Sequence, residues 1–351
     1  MIIYIPIWES DPHNSPNPYV STLTDQMSAL DNGLEFIFDK EFFWSEECNS
    51  CDIIHIMWPH VFTGQCSANA FADRLKSLKR SGVSIVSTCH NIKPHSGSEV
   101  EQAFYDTAYA KSDIIIHLAD YSKRVLIDKF PNAKHIVIPH HVYDTLYSNY
   151  PSQAESRAYL HLPKYWKDYI LCIGAFRNQE EKELIRNLSV CLRKKRIGIL
   201  APTLRFRPNY KLTYYGIKSL LKRLIQNVAY PNLIIAGHYV SNEELPYYFG
   251  SSSILVIQRK EILNSGNLPL AFLMKKAVVG PNVGNVGYIL EQTENPTFNP
   301  QDASSLTDAV SYALENKQIG ENNYKKAIND WSSLSIAERV INVYRCLKNT
   351  D

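Results

Sequence analysis

The sequence predicts an α/β protein in two halves, each a parallel sheet covered by helices, and three observations carry that reading. Short runs rich in β-branched and aliphatic residues recur, each followed by a longer segment of helical pattern. They read "IIYIPI", "DIIHIM", "VSIVST", "DIIIHL" and "HIVIPH" in the first half, then "YILCIG", "RIGILAP", "NLIIAG", "SILVIQ" and "AVVGPN" in the second. Such alternation marks parallel strands joined by crossover helices, with both sheet faces covered. Between the halves, "YDTLYSNYPSQAESRAYLHLPKYWKD" is polar, contains proline and lacks strand pattern, which sets the boundary near residues 150 to 166. Size agrees: 351 residues exceed one ordinary core, and 45% apolar content supplies two. The expected domains are 1–158 and 159–330, both Rossmann-like, followed by a terminal segment 331–351. In that last segment Trp331, Ile336, Val340 and Tyr344 fall at helical spacing and predict one amphipathic helix.

Composition removes several classes of function. A net charge of +2 and a pI near 8.0 are too balanced for a protein whose main partner is a nucleic-acid backbone. Seven cysteines, odd in number and scattered, suit reduced thiols in a cytoplasmic protein better than a disulfide framework. Cys48 and Cys51 form a C-x-x-C, but no second pair at zinc-site spacing follows, and no metal site is expected. The opening "MIIYIPIW" runs straight into a strand pattern and lacks the charged and apolar regions of a signal peptide. No apolar stretch approaches the roughly 20 residues of a membrane-spanning helix, so membrane contact is expected to be peripheral. No G-x-G-x-x-G follows the first strand of either half, and Gly280, Gly284 and Gly287 are spaced wrongly for that fingerprint. A nicotinamide or flavin dinucleotide is therefore not expected.

Ligands of open α/β sheets sit beyond the carboxyl ends of strands, so the turns after each strand hold the candidates. After "SILVIQ" comes the tetrad Asn264-Ser265-Gly266-Asn267, followed by the apolar periodic run Leu268, Leu270, Ala271, Leu273 and Met274. It reads as the opening of a helix. Unpaired N–H groups and the positive end of the macrodipole make such an opening either an anion seat or an ordinary capped terminus.

Several segments together resemble the GT-B fold sugar-nucleotide glycosyltransferases, particularly glycosyltransferase family 4. In the first half they are "NPYVSTL", "DIIHIMWPH", "STCHNIKPH" and "IPHHVY"; in the second, "IGAFRNQEEK", "LIIAG", "ILNSGNLPLAF" and "FNPQDASSLTDAV". The resemblance implies two Rossmann-like domains facing across a cleft, the second binding a UDP or GDP type nucleotide-diphosphate sugar as co-substrate, without a cofactor.

What the resemblance implies for single residues can be set beside their local chemistry. A departing diphosphate needs positive charge and N–H groups where its negative charge grows. Arg177, after "LCIGAF", matches the family arginine, and Lys182 lies at a family separation, although the family's glycine after that lysine is missing. Both would otherwise be solvated charges at a helix start. His90 ends "VSIVSTCH", where the family places a histidine facing the donor sugar; Asn91 and His95 follow in the same polar turn. The alternative for His90 is a buried, hydrogen-bonded imidazole. Asn17 and Tyr19 open a helix whose loop faces the acceptor in relatives, so Tyr19 either stacks on a sugar or packs in the core. Arg193, Lys194, Lys195 and Arg196 precede "IGILAP", and Arg205 and Arg207 follow it; the cluster is either a solvated helix end or one from which Arg205 or Arg207 reaches the donor. Lys76, Lys79 and Arg80, with Leu75 and Leu78, form either a plain surface helix or one that lies on an anionic membrane.

One departure concerns the acidic residues. Family 4 enzymes carry two glutamates at a fixed spacing around the tetrad helix, but Glu261 has Pro269 at that spacing, and alignment on Leu270-Ala271 puts Ile262 at the first position. Glu261 remains the one acidic candidate near the donor. The expected activity is sugar transfer from a nucleotide donor to a glycan, most simply a lipid-linked surface-polysaccharide intermediate at the inner face of the membrane, with retention of configuration. Two rivals stand beside it: a sugar-nucleotide epimerase of the same fold, and a non-catalytic homologue that binds a nucleotide sugar.

Overall fold

The structure is a computed structural model that describes residues 1–15, 17–94, 97–148, 150–204, 228–236, 238 and 240–348. Its strands follow the apolar runs. The first half forms β1 (Ile2–Ile7), β2 (Glu35–Asp39), β3 (Ile53–Ile56), β4 (Ser84–Cys89), β5 (Ile114–His117) and β6 (Lys134–Val137). The second forms β7 (Asp168–Leu171), β8 (Ile197–Leu200), β9 (Leu233–Ile234), β10 (Ile254–Val256), β11 (Ala277–Pro281) and β12 (Thr297–Phe298). The helices that frame the first sheet are α1 (Tyr19–Leu30), α2 (Ala68–Arg80), α3 (Glu99–Lys111) and α4 (Asp120–Leu126). Then come α5 (Gln153–Tyr159), α6 (Gln179–Arg193), α7 (Leu245–Ser251), α8 (Asn267–Leu273), α9 (Gly284–Gln292), α10 (Ala303–Glu315), α11 (Gln318–Asp330) and α12 (Ser333–Lys348).

Two parallel six-stranded sheets result, ordered β2-β1-β3-β4-β5-β6 and β12-β11-β10-β7-β8-β9. Inner strands such as β3, β5 and β11 are buried at every position, as layers between helices must be. The two strands that the apolar runs do not announce, β2 and β12, are both sheet edges.

The chain divides into two compact units, 1–146 with 330–351, and 147–329. The segment 147–158 thus belongs with the second unit rather than with an N-terminal domain ending at 158. Its α5 opens with a capping box between Ser152 and Glu155 and carries Tyr159, whose ring stacks on Tyr247 of α7 at 3.9 Å.

Helix faces are set by spacing. On α2, Phe71, Leu75 and Leu78 are fully buried, and Ser67 caps the helix by accepting from the Ala70 N–H. Leu75 and Leu78 are therefore committed to the core, and α2 has no such residues to insert into a membrane. No helix among the described residues is long and apolar enough to cross one. The terminal helix α12 buries Ile336, Val340, Ile341 and Tyr344 in the same core as Tyr19, Leu23 and Met27 of α1. Each such side chain contributes about 1.5–3 kcal/mol. Its start is sewn to the strand-end segment after β6: the Val142 N–H donates to the Trp331 carbonyl at 2.8 Å, and the Ser333 hydroxyl to the Val142 carbonyl at 2.6 Å.

Candidate functional site

Strand order reverses between β10 and β7 in the second sheet, and the crevice beyond such a reversal is where ligands of open α/β sheets bind. The loops leaving β7 and β10 carry Arg177 and the tetrad. After β7 the backbone turns at Gly174, whose φ of +103° favours glycine. That turn is held on both sides. The Asn267 side-chain amide donates to the Ile173 carbonyl at 3.2 Å, and the Thr203 hydroxyl donates to the Gly174 carbonyl at 2.6 Å.

Asn178 then caps α6 by accepting from the Glu181 N–H at 2.9 Å, which places Arg177 just ahead of the helix. Glu181 is only 2% exposed, and its carboxylate accepts three hydrogen bonds from two donors. The Arg177 backbone N–H reaches it at 2.8 Å, and one guanidinium nitrogen of Arg259 reaches its two oxygens at 2.9 and 3.1 Å. Arg259 is itself buried, at 9% exposure, just beyond β10. Its neighbour Lys260 pairs with Glu180 at 2.9 Å, so two ion pairs tie the β10 exit to the first turn of α6. Partial burial, then the nearby positive charge of Arg259, lower the pKa of Arg177, with Glu181 opposing.

Arg259 and Glu181 hold the loop of the predicted Arg177 without standing in a motif of their own. The available signal was an arginine directly after a strand, "SILVIQR", facing the acidic first turn "EEKE" of a helix in the same half. Lys182 is half-buried in the first turn of α6 and makes no hydrogen bond or ion pair among the described residues. Glu261 is exposed in the β10 exit loop, likewise without such a partner. Arg205 and Arg207 lie outside the described residues.

The tetrad opens α8 with Gly266 at the N-cap and no side-chain cap hydrogen bond, so ordinary capping is not what Asn264 and Ser265 do. Asn264 instead accepts from the side chain of Asn285 at 2.7 Å, a residue at the start of α9. The preceding backbone is pinned by the same helix: the Val286 N–H donates to the Leu263 carbonyl at 3.1 Å. A Cβ on Gly284, at φ +65°, would stand 2.1 Å from the Ile262 carbonyl oxygen. The openings of α8 and α9 are therefore locked to one another.

The first sheet reverses between β1 and β3, and a cavity of about 320 Å³ lies there. Trp8 and Glu9 after β1, Asn17 before α1, Trp58 and His60 after β3, and Asn91 after β4 line it. Two predicted residues, Asn17 and Asn91, thus meet at one cavity. Tyr19 and His90 are placed differently. Tyr19 is 4% exposed, with ring centres of His90, His140 and His141 at 4.7, 4.6 and 4.7 Å. Its faces are taken, so it packs in the core and offers no platform to a sugar. His90 is 9% exposed and stacks on Trp58 at 4.8 Å. Burial holds the imidazoles of His90, His140 and His141 below the usual histidine range, His140 at about 4. His95 lies outside the described residues. No group of three or more His, Cys, Asp or Glu among the described residues is arranged to hold a metal ion.

No protein-family model and no curated protein sequence matches the chain. Solved structures do. Sucrose-phosphate synthase from Thermosynechococcus elongatus superimposes over 100% of both chains with a TM-score of 0.75 at 15% identity. Anabaena HepE, in complex with UDP-glucose, covers 99% of this chain and 100% of its own at a TM-score of 0.71 and 12% identity. A Listeria monocytogenes protein described as a UDP-N-acetylglucosamine 2-epimerase covers 100% and 97% at 0.63 and 10% identity. At such identities the likeness is one of fold, and with two six-stranded parallel sheets and a C-terminal helix the chain has the GT-B fold.

Proposed function

We propose that the chain is a glycosyltransferase that moves a sugar from a nucleotide-diphosphate donor of UDP or GDP type to a glycan acceptor. One observation carries the reading. The Arg177 loop, the Glu181–Arg259 pair and the linked openings of α8 and α9 converge at the strand-order reversal of the second sheet. The resemblance assigns Arg177, Lys182 and the amides of Ser265, Gly266 and Asn267 to the departing diphosphate, where negative charge grows as the glycosidic bond breaks. First-turn amides have no partner inside their own helix, which leaves them to such a ligand. Glu181 orients this set from behind and keeps the positive charge of Arg259 in place. HepE, a neighbour of the same fold, was solved with UDP-glucose, which supports a nucleotide sugar as donor.

The finer parts of the reading rest on the family resemblance. The acceptor is a lipid-linked surface-polysaccharide intermediate, met in the cytoplasm at the inner face of the membrane, and transfer retains the anomeric configuration. Substituting Arg177 by Ala costs at least about ten-fold in turnover, since a contact to developing charge is worth about 1.4 kcal/mol or more. Unchanged turnover would remove Arg177 from the site, and an inverted linkage in the product's NMR spectrum would reject retention. The likeness to an epimerase of the same fold favours one second reading, in which the donor alone is converted. Incubating UDP-N-acetylglucosamine without acceptor separates the two: conversion to an epimer supports that reading, and an unchanged sugar supports transfer.

A further inference from the structure

The cavity at the β1/β3 reversal selects among acceptors by its chemistry. We propose that it is a subsite for an uncharged sugar ring, stacked on Trp8 and hydrogen-bonded by Glu9, Asn17, Asn91 and His60, and that it disfavours phosphorylated sugars. The inference rests on the transferase reading for its role as an acceptor site; the binding itself does not.

Its volume of about 320 Å³ is at the low end of small-molecule sites, which run roughly 300–1,000 Å³, and fits a single ring rather than a nucleotide. Trp8 is 50% exposed, a large indole left open where the cavity meets solvent. An aromatic face of that kind takes the C–H side of a pyranose and gains nothing from a phosphate. Trp58 is fixed behind it by its stack on His90 at 4.8 Å, so the wall is pre-formed.

The polar groups suit hydroxyls, which both donate and accept. Glu9 supplies acceptors, and the amides of Asn17 and Asn91 supply both kinds. His60 completes the set through a relay. Burial raises the pKa of the Tyr105 phenol to about 12, and it keeps its proton, while a hydrogen bond from the Asn91 side chain pulls the other way. Tyr105 bonds the His60 Nδ1 at 2.7 Å. In the tautomer where the phenol donates to Nδ1, His60 carries its hydrogen on Nε2 and offers it to the sugar as a donor. Burial also lowers the pKa of His60, which keeps the ring neutral.

Charge supplies the discrimination. Among the described residues no Lys or Arg lines the cavity, while the Glu9 carboxylate does and disfavours a phosphate. The Lys40 ammonium lies over the Trp8 ring, 5.5 Å from its centre, and is not among the described lining residues.

Saturation-transfer NMR on the full chain tests this with methyl α-D-glucopyranoside, methyl β-D-galactopyranoside, N-acetylglucosamine and glucose 6-phosphate as probes. The expected result is saturable millimolar binding of at least one neutral sugar, about ten-fold weaker in Trp8→Ala, with glucose 6-phosphate weaker still. Glu9→Gln narrows the gap between neutral and phosphorylated probes. Glucose 6-phosphate binding as tightly as the neutral sugars and lost in Lys40→Ala would overturn the proposal. So would the absence of any binding, or neutral-sugar binding indifferent to Trp8. UDP and GDP titrations of the same preparation report on the donor reading separately. Nucleotide binding without sugar binding rejects the subsite alone, and sugar binding without nucleotide binding keeps the subsite and removes the transferase reading.

Discussion

Replacing Glu181 by Ala probes the donor-side architecture at its most buried point. The Glu181 side chain is 3% exposed and that of Arg259 11%, and their contact at 2.9 Å is shielded from water. Removing one member of a buried pair strands the other charge and costs about 3–5 kcal/mol. The Arg177 N–H also loses its acceptor, about 1 kcal/mol more. For a unit of this size about 4–6 kcal/mol corresponds to a fall of roughly 10–20 °C in Tm. Scanning calorimetry of the full chain reads it. The double variant Glu181→Leu with Arg259→Met restores most of the Tm, because a packed apolar pair replaces a buried ionic one at little cost. It does not restore nucleotide binding, since the tether on the Arg177 loop is gone. A single variant that melts within about 2 °C of the parent would refute the buried-pair argument. A double variant that binds UDP or GDP like the parent would refute the pair's place in the site.

Three other outcomes are expected. Burial depresses the folded-state pKa of His141, whose two ring nitrogens have no hydrogen-bond partner among the described residues, far below an unfolded value of about 6.5. Its contribution is complete above about pH 6.5 and lost as pH falls below it, at about 1.4 kcal/mol per pH unit. Urea titrations between pH 7 and 5 show this slope, and His141→Phe reduces it by one proton's worth; an equal slope in both proteins contradicts the assignment. Gly284→Ala, which forces a Cβ against the Ile262 carbonyl at a left-handed φ, lowers stability by more than about 1 kcal/mol and weakens nucleotide binding. A fully stable variant with parental affinity would show that the loop is not locked there. Finally, side chains and amides are assigned to the diphosphate charge, so turnover withstands EDTA; activity lost to EDTA and regained with magnesium would reverse that assignment.

Strands were readable where both faces are buried, because no polar residue interrupts the apolar run, as in "SILVIQ" and "AVVGPN". β2 escaped because it is an edge strand, half-exposed along its middle and bounded by Glu35 and Asp39, and β12 because it is only two residues long. The turn at the tetrad was legible as a helix opening, but the partner that replaces a side-chain cap, Asn285, comes from the next helix and follows no local pattern. Arg259 escaped for the same reason, since the carboxylate that gives it meaning lies 78 positions away. Tyr19 carried a motif position that a sugar could use, and the three imidazoles that cover it arrive from the ends of β4 and β6. Local chemistry names candidates, and long-range packing decides which of them stay open to a ligand.

The central claim is that the second unit binds a nucleoside diphosphate through Arg177 and the linked openings of α8 and α9. Thermal melting of the full chain with UDP, GDP and ADP in turn tests it most directly. UDP or GDP, at about 100 times its dissociation constant, is expected to add about 2.7 kcal/mol, and Arg177→Ala to reduce the gain sharply. No shift with any of the three nucleotides, or a shift that is the same in Arg177→Ala, would contradict it.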